Sequence, residues 1–381
     1  MKRRVLVITE LIAPYRIPVF NALAQERDVD LHVIFLSRTD FSTRQWRVYE
    51  EEIRFSYEVL PCWRRRLGKY NLLFNRGLSR ALNEVMPEVV VCGGYNYLAS
   101  WQALHWAKRH GVPFLLWSES TSNDRRRRRV AIEILKKKFV ENCNGFVVPG
   151  TAAHDYLITL GIADDRIFVA PNAVDLALFK AAEAGVEAMQ AETRARLVLP
   201  PRYFLFVGRL VQAKGVLDLL NAYEQLPAKL REEVGLVFAG DGPMRSELEA
   251  RARNIYPGVV HFAGFVHRDD LPAYYTLAEC LVLPTHSDTW GLVVNEAMAC
   301  GLPIICSRVA GCAADLVRDN GWLIPPENLD ELAAAMEQAA TNESLRGEMS
   351  AKSREIARNY SPEMCAAGIA RASSGIETHV Q

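Results

Sequence analysis

The sequence has no surplus of charge of either sign: among 381 residues, 45 Lys and Arg face 45 Asp and Glu. A dedicated nucleic-acid binder carries a basic excess, so the balance argues against nucleic acid as a partner. Long hydrophobic runs are missing too. The longest uncharged stretch, residues 89–107, is interrupted by Gly93, Gly94, Asn96, Gln102 and His105, whereas a membrane span needs about 20 apolar residues. The apolar run Val5–Ile8 meets Glu10 almost at once and reads as a first strand rather than a signal peptide. Cysteine is present but unpatterned: the eight residues at 62, 92, 143, 280, 300, 306, 312 and 365 include no Cys-x-x-Cys pair. Cys306 and Cys312 stand apart from histidine, so neither a zinc site nor a disulfide framework is indicated. Buried, reduced thiols in a cytoplasmic protein are expected. No short-period repeat appears, which excludes a solenoid.

What is there is a globular composition, 50% hydrophobic and 24% charged, in a chain long enough for two or three domains. The charge is unevenly spread. Residues 1–177 hold 26 basic and 19 acidic side chains, and residues 178–381 hold 19 and 26. Halves of opposite sign suggest two domains with different partners. In the first half, strands are expected over Arg4–Thr9, Val29–Leu36, Glu88–Cys92, Phe114–Trp117, Gly145–Val148 and Ile167–Ala170. Helices are expected over Ile17–Gln25 and Ser100–His110, the second closed by Gly111. The stretch Pro171–Pro201 breaks the rhythm and reads as a linker carrying a helix. A second alternation gives strands over Tyr203–Val207, Gly235–Ala239, Val259–Phe262, Leu281–Leu283 and Pro303–Cys306. Helices fall over Gly215–Gln225, Met244–Ala252, Leu292–Cys300, Leu329–Ala340 and Ser344–Asn359, with a last one from Pro362. Two α/β layers, each a parallel sheet covered on both faces, imply a cleft between them, with ligands beyond the carboxyl ends of the strands.

Three motifs carry chemistry. In Phe206-Val207-Gly208-Arg209-Leu210-Val211-Gln212-Ala213-Lys214-Gly215, a strand runs into Gly208 and then into a loop that leads to a helix N-terminus. Arg209 and Lys214 there suit a diphosphate; a glycine turn with two solvated cations is the equally weighted alternative. In Ala239-Gly240-Asp241-Gly242-Pro243, a structural strand-to-helix turn is the better reading. The third motif runs from Thr285 to Pro303. Asp288 stands before a helix, where an N-cap is the plain alternative. Glu296 lies inside that helix among core residues and should face a polar ligand or a partner. A carboxylate accepts hydrogen bonds from a pair of sugar hydroxyls, and the N–H groups at Gly291 and Leu292 can meet a phosphate.

Taken in order, Gly208-Arg209-Leu210 through Lys214-Gly215, Ala239–Pro243, Gly264-Phe265-Val266 and Asp288–Pro303 resemble a retaining glycosyltransferase of the GT-B fold, family four. In the first half, Ala13-Pro14-Tyr15-Arg16-Ile17-Pro18 resembles an acceptor-side loop of one branch. Pro171-Asn172-Ala173-Val174-Asp175 resembles the segment that ends the N-terminal domain, with Ala173 in place of Gly. The resemblance implies two Rossmann-like domains facing across a cleft: residues 1–177 for the acceptor, 178–360 for the nucleotide-sugar, and a helix in 361–381 crossing back to the first. Arg209 and Lys214 would neutralise the departing diphosphate, Glu296 would hold the ribose hydroxyls, and Phe265 and Val266 would border the base. Asp288 occupies the first place of the family's Glu-x7-Glu pattern, which contacts the donor sugar. Here it is Asp, and Trp290 replaces Phe; both departures bear on which sugar is used. Pro14, Tyr15 and Arg16 would lie on the acceptor side.

The implied reaction transfers a sugar with retention, from a nucleotide-diphosphate sugar (a UDP-sugar, on family frequency) to a hydroxyl of a carbohydrate or lipid-linked acceptor. No cofactor and no metal are expected, because Arg209 and Lys214 supply the positive charge. Many relatives carry a His after the strand matching Phe114–Trp117. Here Ser118-Glu119-Ser120-Thr121 follows, making Glu119 the candidate base or orienting group, with a surface cap as the alternative. The run Arg125–Arg129, with Lys136–Lys138 and Arg64–Arg66, reads first as a solvated face and then as contact with an anionic membrane surface. That would make the protein cytoplasmic and peripheral on the inner face of the membrane. His286 beside Asp288 is ranked as structural, and His105 and His154 are given no role. The competing activities are a nucleotide-sugar 2-epimerase on the same fold and a transferase using a small soluble acceptor. A nicotinamide enzyme is set aside, since the first strand lacks the Gly-x-Gly-x-x-Gly turn.

Overall fold

The computed structural model describes residues 2–40, 46–67, 70–123 and 130–376. The described chain divides into two compact units. One takes residues up to 122, 130–173 and 362–376; the other takes 123 and 174–361.

The first unit contains β1 (Arg3–Leu11), β2 (Val29–Ser37), β3 (Ser56–Val59), β4 (Cys62–Leu67), β5 (Tyr70–Asn75), β6 (Val89–Gly93), β7 (Phe114–Trp117), β8 (Gly145–Val148) and β9 (Ile167–Val169). Seven of them form a parallel sheet in the order β3-β2-β1-β6-β7-β8-β9, while β4 and β5 pair as a separate antiparallel hairpin. The run Val5-Leu6-Val7-Ile8 explains how the sheet is buried on both faces. Leu6 and Ile8 enter one core with Phe114 and Phe146, and Val5 and Val7 enter another with Phe20 and Phe35. That is the two-residue period of a strand expressed in an uninterrupted apolar run. The helix Pro362–Ser374 packs on the helix Ile17–Gln25 and on β9, burying Cys365, Ala366, Ile369 and Ala372.

The second unit holds β10 (Tyr203–Val207), β11 (Gly235–Ala239), β12 (Val260–Gly264), β13 (Cys280–Leu283), β14 (Ile304–Ser307) and β15 (Gly321–Ile324). They form one parallel sheet in the order β12-β11-β10-β13-β14-β15. Both large sheets have a switch point, where the chain leaves the central strand to one side and later returns on the other: β1/β6 in the first, β10/β13 in the second. Loops diverge there and leave space for a ligand at the carboxyl ends. Among the described residues no helix is long and apolar enough to cross a membrane.

Candidate active site

The loop after β10 and the loop after β13 meet at the second sheet's switch point. Three groups converge on the Ala213 carbonyl: the N–H of His286 at 2.9 Å, the N–H of Ser287 at 3.3 Å and the Thr285 hydroxyl at 2.8 Å. Glycine makes this approach possible. Gly215 has φ +65°, and a Cβ there would fall 2.0 Å from the Pro284 carbonyl oxygen. At Gly240, which follows β11, a Cβ would fall 1.8 Å from the Gly208 carbonyl oxygen. The Gly240-Asp241-Gly242 turn thus has a packing role, supporting the loop that carries Arg209.

On this platform Lys214 and Asp288 form an ion pair, with Lys214 partly exposed and Asp288 nearly buried. Asp288 does not cap the following helix. Its Oδ1 accepts the N–H of Trp290 at 3.4 Å, and the helix Leu292–Ala299 starts instead at Gly291, with φ +98°. No side chain caps that helix and its first turn carries no acid, so its N-terminus at Gly291 and Leu292 is available to an anion. Arg209 is exposed at the end of β10, and its guanidinium has no ion pair among the described residues. His286 is held between carboxylates: Nε2 lies 2.6 Å from Asp218 Oδ2, and Nδ1 lies 3.7 Å from Glu327 Oε1. It ties the loop to the first turn of the helix Val216–Gln225.

Glu296 lies on the second turn of the helix from Leu292. Its Oε2 accepts a hydrogen bond of 2.6 Å from the hydroxyl of fully buried Tyr275. Burial pushes the Glu296 carboxyl up to about 7, and the Tyr275 hydrogen bond only partly offsets this. A half-buried carboxylate with so few donors is an unusual residue for a helix packed on a core, and it marks a place where further hydroxyls would be welcome. Phe265 follows β12 with its ring exposed and edge-on to His267 at 5.0 Å, and Val266 is half-buried beside it. Trp290 turns away from this edge: it is buried, its Nε1 donates to Asn295 Oδ1 at 2.8 Å, and its ring packs near Tyr360. The Phe-to-Trp departure is therefore answered inside the core. Tyr275 is a site residue that motif spacing does not reveal; only the adjacent pair Tyr274-Tyr275 before β13 hints at it.

In the first unit a different cluster forms. Arg16, after β1, pairs with Glu119, after β7, and its guanidinium lies 3.9 Å from the Trp117 ring centroid. Burial works most strongly against the Arg16 charge, yet the Glu119 carboxylate, together with Tyr15 and Cys365, outweighs that and raises its pKa. Asn172 Nδ2 also donates to Glu119 Oε1, at 3.4 Å. Pro14 is buried, and Tyr15 is exposed with its ring edge-on to Trp46 at 6.3 Å. Pro14, Tyr15, Arg16 and Glu119 thus share the carboxyl edge of the first sheet, and both described partners of Glu119, Arg16 and Asn172, meet its Oε1. The basic residues are more dispersed than the sequence suggests. Arg125–Arg129 lie outside the described residues. Lys136 is buried, with its ammonium donating to the Tyr156 hydroxyl. Arg64 turns inward to Asp40 and Glu10. The single Asp-x-Asp triplet, Asp28-Val29-Asp30, sits at the amino end of β2, opposite the carboxyl edge of its own sheet.

Two parallel α/β sheets of this order define the GT-B class of fold. Solved structures agree: Anabaena Alr3699/HepE in complex with UDP aligns over 98% of this chain and 100% of that one, with a TM-score of 0.75 at 16% identity. A family model for glycosyl transferases group 1 matches residues 189–358, and one for glycosyltransferase family 4 matches residues 20–178. The chain belongs to the family-four glycosyltransferases of the GT-B fold. Relatives include the O-antigen chain mannosyltransferase B of Escherichia coli, 30% identical over 43% of each chain. The D-inositol 3-phosphate glycosyltransferase of Salinispora arenicola is 31% identical over 58% of this chain and 52% of its own. The chain spans about half the length of the curated relatives it matches.

Proposed function

We propose that the protein transfers a sugar, with retention at the anomeric carbon and without a metal, from a UDP-sugar to a hydroxyl of a carbohydrate or lipid-linked acceptor in surface polysaccharide or glycolipid synthesis. The observation that carries the reading is the meeting of cations, an uncapped helix N-terminus and a half-buried carboxylate at one switch point. Arg209, Lys214 and the amides at Gly291 and Leu292 stabilise the diphosphate as charge develops on it. Glu296 holds the ribose hydroxyls, and Phe265 and Val266 border the base. Lys214 moves from Asp288 to a phosphate oxygen as the donor enters, which frees the Asp288 carboxylate for a sugar hydroxyl. The acceptor oxygen then bonds to the anomeric carbon on the face from which the diphosphate departs. The bond from that carbon to the phosphate oxygen breaks, and the acceptor's proton passes to that leaving oxygen. Glu119, fixed by Arg16 and Asn172, orients the acceptor beside Pro14 and Tyr15. Arg125–Arg129 would add attraction to an anionic membrane.

The test is a panel of nucleotide-sugars incubated with and without candidate acceptors. Nucleoside diphosphate release that depends on an acceptor, with an axial product linkage from an axial donor, is expected. Conversion of the donor to its epimer without an acceptor would favour the 2-epimerase reading instead.

A further inference from the structure

The hairpin β4–β5 has two faces of opposite character. Its register pairs Trp63 with Phe74, Arg64 with Leu73 and Arg65 with Leu72. On the inner face, Leu73 is buried, Arg64 binds Asp40 and Glu10, and Asn75 Nδ2 donates to the Leu36 carbonyl. These anchors lie at or just beyond the carboxyl ends of β1 and β2, so the hairpin is fastened at the edge where the proposed acceptor residues lie. The outer face is apolar and uncovered: Trp63 is 56% exposed, Phe74 39% and Leu72 38%, with the two rings 5.6 Å apart. Arg65 is exposed on the same face. Along the hairpin's own stretch of sequence the charge has one sign, while Asp40 and Glu10 meet Arg64 on the inner face and Arg80 pairs with Glu84. Residues 59–83 contain Arg64, Arg65, Arg66, Lys69, Arg76 and Arg80 and no Asp or Glu.

The Trp63–Phe74 pair steadies the hairpin across its strands, yet both rings remain largely solvated and lie outside the unit's core clusters. Trp, Phe and Leu set among cations are the side chains that settle at a bilayer's headgroup level, where rings are half-buried and cations meet lipid phosphates. We infer that the outer face of the β4–β5 hairpin, led by Trp63, Phe74, Leu72 and Arg65, docks on an anionic phospholipid surface. This rests on the lipid-linked acceptor of the proposed function. It holds the acceptor edge of the first unit at the membrane, and it places the contact on an apolar hairpin rather than on Arg125–Arg129 alone.

The experiment is sedimentation of the full chain with phosphatidylcholine vesicles, with and without phosphatidylglycerol, at physiological salt and with no donor or acceptor present. Binding to the anionic vesicles is expected, weakened at least about tenfold in the double variant Trp63→Ser, Phe74→Ser and severalfold in Arg65→Glu. Arg65→Glu should melt like wild type and the double variant within a few degrees of it, because these side chains lie outside the core. Equal vesicle binding by wild type and the double variant, or none by wild type, overturns the inference. So does a wild-type dimer in sedimentation velocity that the double variant dissolves, which would assign the face to a second copy. Transfer to a water-soluble acceptor, measured in parallel, should be unchanged in both variants; its absence in wild type would count against the functional reading and leave the vesicle result standing.

Discussion

Replacing Glu296 by Gln separates what this carboxylate does for binding from what it does to the fold. Burial raises its pKa from 4.5 to about 7. The unfolded chain then loses this proton near pH 4.5 while the folded protein keeps it. Between those pH values the folded state binds more protons, so wild-type stability falls as pH rises through the window and levels off above about 7. One unit corresponds to about 1.4 kcal/mol, so the shift costs up to about 3 kcal/mol at pH 8. Glu296 keeps a solvent-facing edge, which makes this an upper bound. Gln cannot ionise and its carbonyl oxygen still accepts from Tyr275. The variant should therefore melt close to wild type at pH 5 and above it at pH 8, by up to about 10 °C for a unit of this size. Paired thermal melts from pH 5 to 8 measure this, with other titrating groups common to both proteins. The same variant should bind UDP weakly, because ribose hydroxyls lose an ionised acceptor. A difference in melting temperature that is flat across pH, or a variant less stable at pH 8, would show that Glu296 is not held in its raised-pKa state by burial.

Four further outcomes follow from the geometry. Lys214→Ala should lower turnover by about 10²–10³ with the fold retained, and a wild-type rate would remove Lys214 from the diphosphate site. Tyr275→Phe removes the hydrogen bond that holds Glu296 and moves its pKa further up, so donor KM should rise more at about pH 7 than at about pH 8.5, read from steady-state kinetics. Glu119→Gln should slow transfer at least about tenfold while leaving UDP binding unchanged; near-normal transfer rules out its role. Trp290→Phe restores the family's residue yet removes a buried hydrogen bond to Asn295, so it should destabilise by about 1–3 kcal/mol in denaturant melts and leave the preferred donor sugar unchanged.

Much of the fold was legible in the sequence because its strands are continuous apolar runs closed by glycine or proline. Phe114–Trp117, Gly145–Val148, Tyr203–Val207 and Gly235–Ala239 fall where the runs place them. The hairpin β4–β5 was not legible, since Trp63-Arg64-Arg65-Arg66 reads as a charge run until Arg64 is seen to turn inward on Asp40 and Glu10. The strand Gly321–Ile324 and the helix Leu271–Thr276 are too short for periodicity to show. In the site, the residue types and their edge of the sheet could be read from spacing. Their pairings could not: Lys214 meets Asp288 across 74 residues and Tyr275 meets Glu296 across 21. Trp290 shows the reverse case, a departure that looks like a specificity change in sequence and lies in the core.

If the carboxyl edge of the second sheet is a nucleotide-sugar site built on Lys214, Arg209 and Glu296, UDP alone should occupy it. Calorimetric titration of the wild-type protein with UDP should then show saturable binding at one site per chain, lost in Lys214→Ala and in Glu296→Ala. Wild-type affinity in both variants, or no binding by the wild-type protein, would mean that the donor does not bind at this edge.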